Sequence, residues 1–190
     1  QMNTSSRSII ISGPPAVGKT TLAKAISEKF NLRHYGGGDV LKEIAAAEGH
    51  KPSGNDWWDS PDGMNFLEKR KIDYSYDKMV DNKLMKIASD EHAVITSYTL
   101  PWLYHGGTKF WLNASSEERV KRLAQRDNLS HDDARVITKC RDSGNQELYE
   151  KLYNFTFAQD LSVFDFALNT DKFSQKELTD VVFKILEYLL

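Results

Sequence analysis

Arg7-Ser8-Ile9-Ile10-Ile11-Ser12-Gly13-Pro14-Pro15-Ala16-Val17-Gly18-Lys19-Thr20-Thr21-Leu22 is the stretch on which the rest of the chain turns. Ile9 to Ile11 form a β-branched apolar run, closed at once by a glycine and two prolines, which is the pattern of a buried strand running into a loop. Beyond Gly18 the period changes. Leu22, Ala23, Ile26 and Phe30 fall at helical spacing, and Asn31 is a plausible stop. The loop between strand and helix fits G-x-x-x-x-G-K-[ST] at every fixed position. Such a loop wraps backbone N–H groups around phosphate oxygens, with glycines allowing close approach, and the following helix aims its positive end at the same anion. Gly13, Pro14, Pro15, Ala16, Val17, Gly18, Lys19, Thr20 and Thr21 are therefore expected to hold a nucleotide's phosphates. Lys19 would reach the β- and γ-phosphates, and the Thr20 hydroxyl would ligate Mg²⁺.

Working outward, residues 32–35 read as a second strand, 93–97 as a third, 109–113 as a fourth and 164–169 as a fifth. Gly36-Gly37-Gly38 is expected to break the chain, with Asp39 capping a helix whose apolar face is Val40, Leu41, Ile44 and Ala45. Residues 50–63 are rich in breakers and read as a loop. A helix is expected from about Asp73 or Tyr76 to Ala88, with Met79, Val80, Leu84 and Ile87 inward. Ser115 with Glu118, and Ser174 with Glu177, fit capping boxes, and Ser130 with Asp133 is a weaker version. Val181, Val182, Ile185, Leu186 and Leu189 mark a closing amphipathic helix. Strands alternating with helices at this spacing predict a parallel sheet with helices on both faces.

The 190 residues suit one domain. With 40% hydrophobic and 27% charged residues the composition is globular. Lys plus Arg number 25 against 27 Asp plus Glu, a formal charge of −2, so no global basic field points to a nucleic-acid partner. Cys140 is the one cysteine, which excludes an internal disulfide and a four-thiolate zinc site and favours a reducing compartment. No run of 18 apolar residues suits a membrane span. Residues 1–6 lack a signal-peptide core, and Gln1 ahead of Met2 reads as an expression remnant or disordered tail. A cytoplasmic monomer is the expectation.

Transfer of a phosphoryl group is mostly positioning plus cationic stabilisation of charge spread over its oxygens. The segment 119–141 supplies Arg119, Lys121, Arg122, Arg126, Arg135, Lys139 and Arg141. Arg119, Arg122 and Arg126 can share one helix face. The bland alternative is a solvated mixed-charge face, with Glu117, Glu118, Asp127, Asp132 and Asp133 as partners. Asp39, beyond the second strand, can order Mg²⁺ or meet an acceptor as well as cap a helix. Trp57-Trp58 can stack a base or plug a thin lobe.

Read with this later block, the chain resembles the nucleoside-monophosphate kinases among the P-loop kinases, and within them the archaeal cytidylate-kinase-like branch. The resemblance covers most of residues 8–190. It is strongest at 9–22, at Gly38-Asp39-Val40-Leu41-Lys42, from Trp111-Leu112-Asn113-Ala114 through Glu118-Arg119, and at 149–170, where Asp160-Leu161-Ser162-Val163-Phe164-Asp165 and Leu168-Asn169-Thr170 match the late pattern. It implies a P-loop NTPase fold over 7–190: a three-layer α/β/α domain with a five-stranded parallel sheet, a small acceptor-binding lobe near 37–75 and a lid near 126–142. It implies ATP and Mg²⁺, Arg122 and Arg126 near adenine and phosphates, and Arg141 bridging two nucleotides, with Lys19, Arg126 and Arg141 catalytic. CMP or dCMP would be the acceptor.

The departures bear on that acceptor. Lys42, Lys78 and Leu148 stand where the family commonly has Arg. Thr96, Ser97 and Tyr98 replace an acid, a Gly and an Arg. Lysine lacks the bidentate fork of arginine. Asp39, Lys42, Lys78 and Tyr98 are the expected acceptor contacts, with Tyr98 flooring the pocket in place of the missing Arg. Two other readings keep the cradle: a kinase with another small-metabolite acceptor, and a degenerate nucleotide-binding regulator without transferase activity.

Overall fold

The computed structural model describes residues 8–54 and 57–190; the expectations for residues 1–6, for Arg7 at the strand start and for Asn55-Asp56 in the loop lie outside the described residues. The sheet has order β2-β3-β1-β4-β5 and every pairing is parallel. Its strands are β1 (Ile9–Ser12), β2 (Arg33–Gly36), β3 (Ala93–Thr96), β4 (Thr108–Asn113) and β5 (Phe166–Asn169). The central strand β1 is the Ile run, and all four of its residues are buried. Two apolar cores lie on its two faces. One joins Ile9 and Ile11 to Leu22 and Ile26 of α1 (Lys19–Phe30) and to Leu178, Val182 and Leu186 of the closing helix, residues 175–189. The other joins Ile10 and Ile95 to α2 (Gly37–Ala47) and to Val80 and Leu84 of the helix at 75–90. Helices on both faces of a parallel sheet make the three-layer architecture of a P-loop NTPase.

Between β2 and β3 the structure departs from the sequence reading. Gly37 and Gly38 lie inside α2, which is capped at Gly36, so Asp39 sits in the first helical turn and is not the cap. There it still favours the positive helix end. Residues 50–63 are not all loop. Trp57–Asp59 form a 3₁₀ turn, and α3 (Pro61–Ile72) follows, with Pro61 in its first turn and the Ser60 hydroxyl accepting from the Gly63 N–H. The breakers there start a helix. After Asp73, α4 (Ser75–Asp90) buries Val80 and Leu84 but leaves Met79 57% exposed.

After β3, a short α5 (Leu100–Leu103) leads to β4. Then α6 (Ser116–Asp127) and α7 (His131–Tyr153) pack through Val120, Leu123, Ala124 and Ala134. The expected lid at 126–142 therefore comprises the end of α6, a turn and the first half of α7. Ser115 and Ser130 cap these helices with their hydroxyls. β5 begins at Phe166; Phe164 instead packs on Trp102 and Trp111. A 3₁₀ turn (Thr170–Lys172) precedes α8 (Gln175–Leu189), whose capping box of Ser174 and Glu177 is complete. Cys140 is exposed.

Candidate active site

At the carboxyl ends of the strands the loop 13–18 opens into one cavity of about 380 Å³. Gly13 has φ +153°, and a Cβ there would lie 2.2 Å from the Leu112 carbonyl oxygen, so only glycine lets the loop leave β1 against β4. Gly18 closes the loop at φ +90°, and Ala16 also holds a left-handed backbone, at φ 63°. No side chain caps α1 and no acid sits in its first turn, so its leading N–H groups face the cavity without a competing anion. This is the local geometry a polyphosphate needs. Gly18, Lys19, Thr20 and Thr21 all line it, as do Pro15, Ala16 and Val17.

Lys19 Nζ donates to the carbonyls of Gly13 at 2.8 Å and Pro14 at 2.7 Å, and lies 4.7 Å above the Tyr98 ring. Burial, with Arg141 and Arg119 nearby, holds its ammonium well below the usual lysine range. Arg119 grips the loop from behind: Nε donates to the Pro15 carbonyl at 2.8 Å, and its fork meets Asp142 at 2.8 and 2.6 Å. Arg122 donates to Thr170 Oγ1 at 2.9 Å and lies 3.5 Å from the Ala16 carbonyl. Asp59 joins two further guanidinium groups: Arg141 donates to it at 2.7 Å, and Arg126 pairs with both Asp59 and Asp127. Arg141 also reaches the Tyr98 hydroxyl at 3.3 Å.

The opposite half of the cavity holds the expected acceptor contacts, with one exception. Asp39 sits beside Thr96, since a Cβ on Gly36 would lie 2.7 Å from Asp39 Oδ2 and 3.3 Å from Thr96 Oγ1. Lys42 lines the cavity and donates to the Gly54 carbonyl at 2.5 Å. Tyr98 does line the cavity, yet it touches Lys19 and Arg141 as well, so it belongs to both halves. Lys78 is the correction. It is exposed on α4, because the residues that α4 turns to the cavity are Asp77 and Asp81, four apart, and Lys78 is a third of a turn away. Trp57 and Trp58 divide the two readings offered for them. Trp57 is buried against His50 and Phe66 with its indole N–H on Asp62, whereas Trp58 lines the cavity.

Sequence reasoning missed a buried polar group at the deep end. Arg70 donates to Asp77 through Nε at 2.9 Å and through NH2 at 2.6 Å. Asp81 accepts from Thr99 at 2.7 Å and from the Tyr153 hydroxyl. Burial raises the Asp81 carboxyl to about 6. Asn145 and Tyr149, one turn apart on α7, complete this wall. The one sequence signal was the i, i+4 pair of acids, Asp77 and Asp81, on a helix otherwise read for its apolar face.

The donor set suits a nucleotide with a hydrated divalent ion. Thr20 offers a hydroxyl, Asp39 a carboxylate across the strand ends, and no group of three or more His, Cys, Asp or Glu that could hold a metal alone occurs among the described residues. Mg²⁺ prefers such sites, keeping several waters and taking the rest of its ligands from phosphates.

Comparison with known proteins agrees with this geometry. The family model described as AAA domain matches residues 9–150. The cytidylate kinase of Sulfurisphaera tokodaii is 31% identical over 96% of either chain. That of Halorubrum lacusprofundi is 30% identical over 92% of this chain and 86% of its own. Among solved structures, a protein of Eubacterium ventriosum superposes with TM-score 0.68 at 18% identity, covering 96% of this chain and 99% of that one. The shikimate kinase of Bacteroides thetaiotaomicron gives 0.57 at 20% identity, with 96% and 98% covered; both support the fold alone.

Proposed function

The chain belongs to the nucleoside-monophosphate kinases of the archaeal cytidylate-kinase type, and from that premise we propose that it moves the γ-phosphoryl group of ATP to CMP or dCMP. The observation that carries this reading is the single cavity: the phosphate loop at one end and Asp39, Lys42 and Trp58 at the other line the same space. Two nucleotides entering from opposite ends would meet phosphate to phosphate. An oxygen of the acceptor phosphate forms the new bond to the γ-phosphorus as the bond to the bridging oxygen breaks and ADP leaves. That oxygen is already anionic at neutral pH, so no strong base is required.

In this reading the loop amides and Lys19 carry the charge of the moving group. Its Nζ exchanges the Gly13 and Pro14 carbonyls for phosphate oxygens, and the arriving anion restores its full charge. Arg122 borders the donor, while Arg126 and Arg141 converge on the transferring phosphoryl group. Mg²⁺, on Thr20 and through water on Asp39, would neutralise the β- and γ-oxygens. Asp39 then supplies the carboxylate that Thr96 cannot. Lys42, Tyr98 and Trp58 are acceptor contacts. The cavity is complete within one chain, in keeping with a monomer. No helix among the described residues is long and apolar enough to cross a membrane, in keeping with work on the cytoplasmic nucleotide pool.

A coupled assay of ADP release across CMP, dCMP, UMP, AMP and GMP tests the proposal. CMP and dCMP should give the highest kcat/KM, and Lys19→Ala should lose at least about 100-fold in kcat. ADP release that no monophosphate accelerates would refute it.

A further inference from the structure

On the kinase reading, the acceptor brings a phosphate dianion into the half of the cavity away from the loop, and some cation must meet it. We infer that Arg70 is that anchor: its guanidinium, fixed by Asp77 on the cavity wall beside Asn145, binds the phosphate of the acceptor nucleotide.

Five cations besides Arg70 line the cavity, and each is engaged elsewhere. Lys19 spends its donors on the loop, and Arg122 is tied to Thr170 on the donor side. Arg126 and Arg141 are held by Asp59. Lys42 is at the rim on the Gly54 carbonyl. Positions 42, 78, 98 and 148, read as Lys, Lys, Tyr and Leu, add no guanidinium. Arg70 does, from α3, where no family position called for one.

Its geometry suits the task. Arg70 is 4% exposed and Asp77 5%. The two bonds to Asp77 fix the plane of the guanidinium, the Tyr149 hydroxyl is a further partner, and two of the five N–H groups remain. A buried ion pair adds little net stability over apolar side chains of the same shape. The pair is therefore better explained by what the remaining N–H groups meet. Asn145 points the same way. It is 5% exposed and lines the cavity. A Cβ on Gly144 would lie 2.9 Å from Leu67 Cδ2, so α3 and α7 touch one turn from Arg70, and Asn145, next to that contact, lines the same cavity as Arg70. Asp81, the nearby acid, has each oxygen taken by a hydroxyl, from Thr99 and from Tyr153.

Titration calorimetry of CMP and cytidine, with ATP as control, tests the anchor in the wild type, in Arg70→Met and in Arg70→Met with Asp77→Leu. The double variant removes both charges and so leaves no orphaned carboxylate. The wild type should bind CMP far more tightly than cytidine. In both variants that ratio should fall by about 10- to 100-fold, the worth of charge-assisted hydrogen bonds, with cytidine and ATP affinities unchanged. Arg70→Lys should fall between. An unchanged CMP-to-cytidine ratio, or parallel loss of all three ligands in both variants, overturns the inference and leaves the kinase reading standing. Wild type that binds no monophosphate, CMP, UMP or AMP alike, sinks the kinase reading and the anchor with it.

Discussion

At the scale of single residues, Asp81 shows how burial converts into a pH dependence. Its carboxyl is raised from 3.8 to about 6, chiefly because burial penalises the charged form, while the Thr99 and Tyr153 hydroxyls and Arg70 pull the other way. The folded chain thus holds this proton more tightly than the unfolded chain. The associated stability is present on the acid side and is lost as pH climbs from about 4 through about 6. At 1.36 kcal/mol per pK unit the change approaches 3 kcal/mol. Urea unfolding at pH 5 and pH 8 should show the wild type losing more stability than Asp81→Asn, by about 1.4 kcal/mol, the share of that change lying above pH 5; equal losses would contradict the assignment. Beyond the i, i+4 pair of Asp77 and Asp81, none of this deep-end chemistry was legible in the sequence. Arg70, Asp77, Asp81 and Asn145 come from three helices, and nothing local at Arg70 separates a buried guanidinium from the exposed Lys69 beside it. The phosphate loop, in contrast, was legible as a strand-to-helix turn, because its pattern is carried by consecutive residues.

At the scale of elements, the 3₁₀ turn ending at Asp59 meets both α6 and α7 through Arg126 and Arg141. Asp59, its side chain 3% exposed, neutralises two guanidinium groups that line the cavity, those of Arg126 and Arg141. Any incoming polyphosphate must compete with it for the two guanidinium groups. Asp59→Asn should therefore tighten ATP binding by about three- to tenfold, the scale of a partly exposed ion pair, as read by calorimetry; unchanged or weaker binding would show that Asp59 does not compete. The strands and α1 were predictable because short apolar runs and a clear change of period mark them. α3 was not, since its apolar positions are few and its start is written in Ser60, Pro61 and Gly63, residues that signal a loop as readily as a helix. Lys78 misled for a related reason: a family position fixes a place in the chain, whereas the helical period decides which side chain faces the cavity.

At the scale of the whole molecule, one cavity joins the loop, the turn at 57–59, α3, α4 and α7. A ligand that ties these together stabilises the native state by mass action. ATP·Mg²⁺ at 100 times its Kd should add about 2.7 kcal/mol. For a chain of this size that is a rise of roughly 5–10 °C in Tm, measurable by calorimetric or dye-based melting. Lys19→Ala should show much less of it. Absence of any shift in the wild type would mean that the cradle binds no triphosphate. The layer order and the parallel sheet followed from alternating strands and helices, but the closeness of α3 and α7 did not, because it rests on the small side of α7 at Gly144 meeting Leu67.

The end of the chain carries no phosphate motif, yet it reaches the donor pocket twice. Thr170 holds Arg122, and a Cβ on Gly18 would fall 2.9 Å from Gln175 Oε1 at the start of α8. The bend that carries β5 into the last helix therefore steadies the phosphate loop from some 150 residues downstream, through an arginine on one side and the glycine that closes the loop on the other.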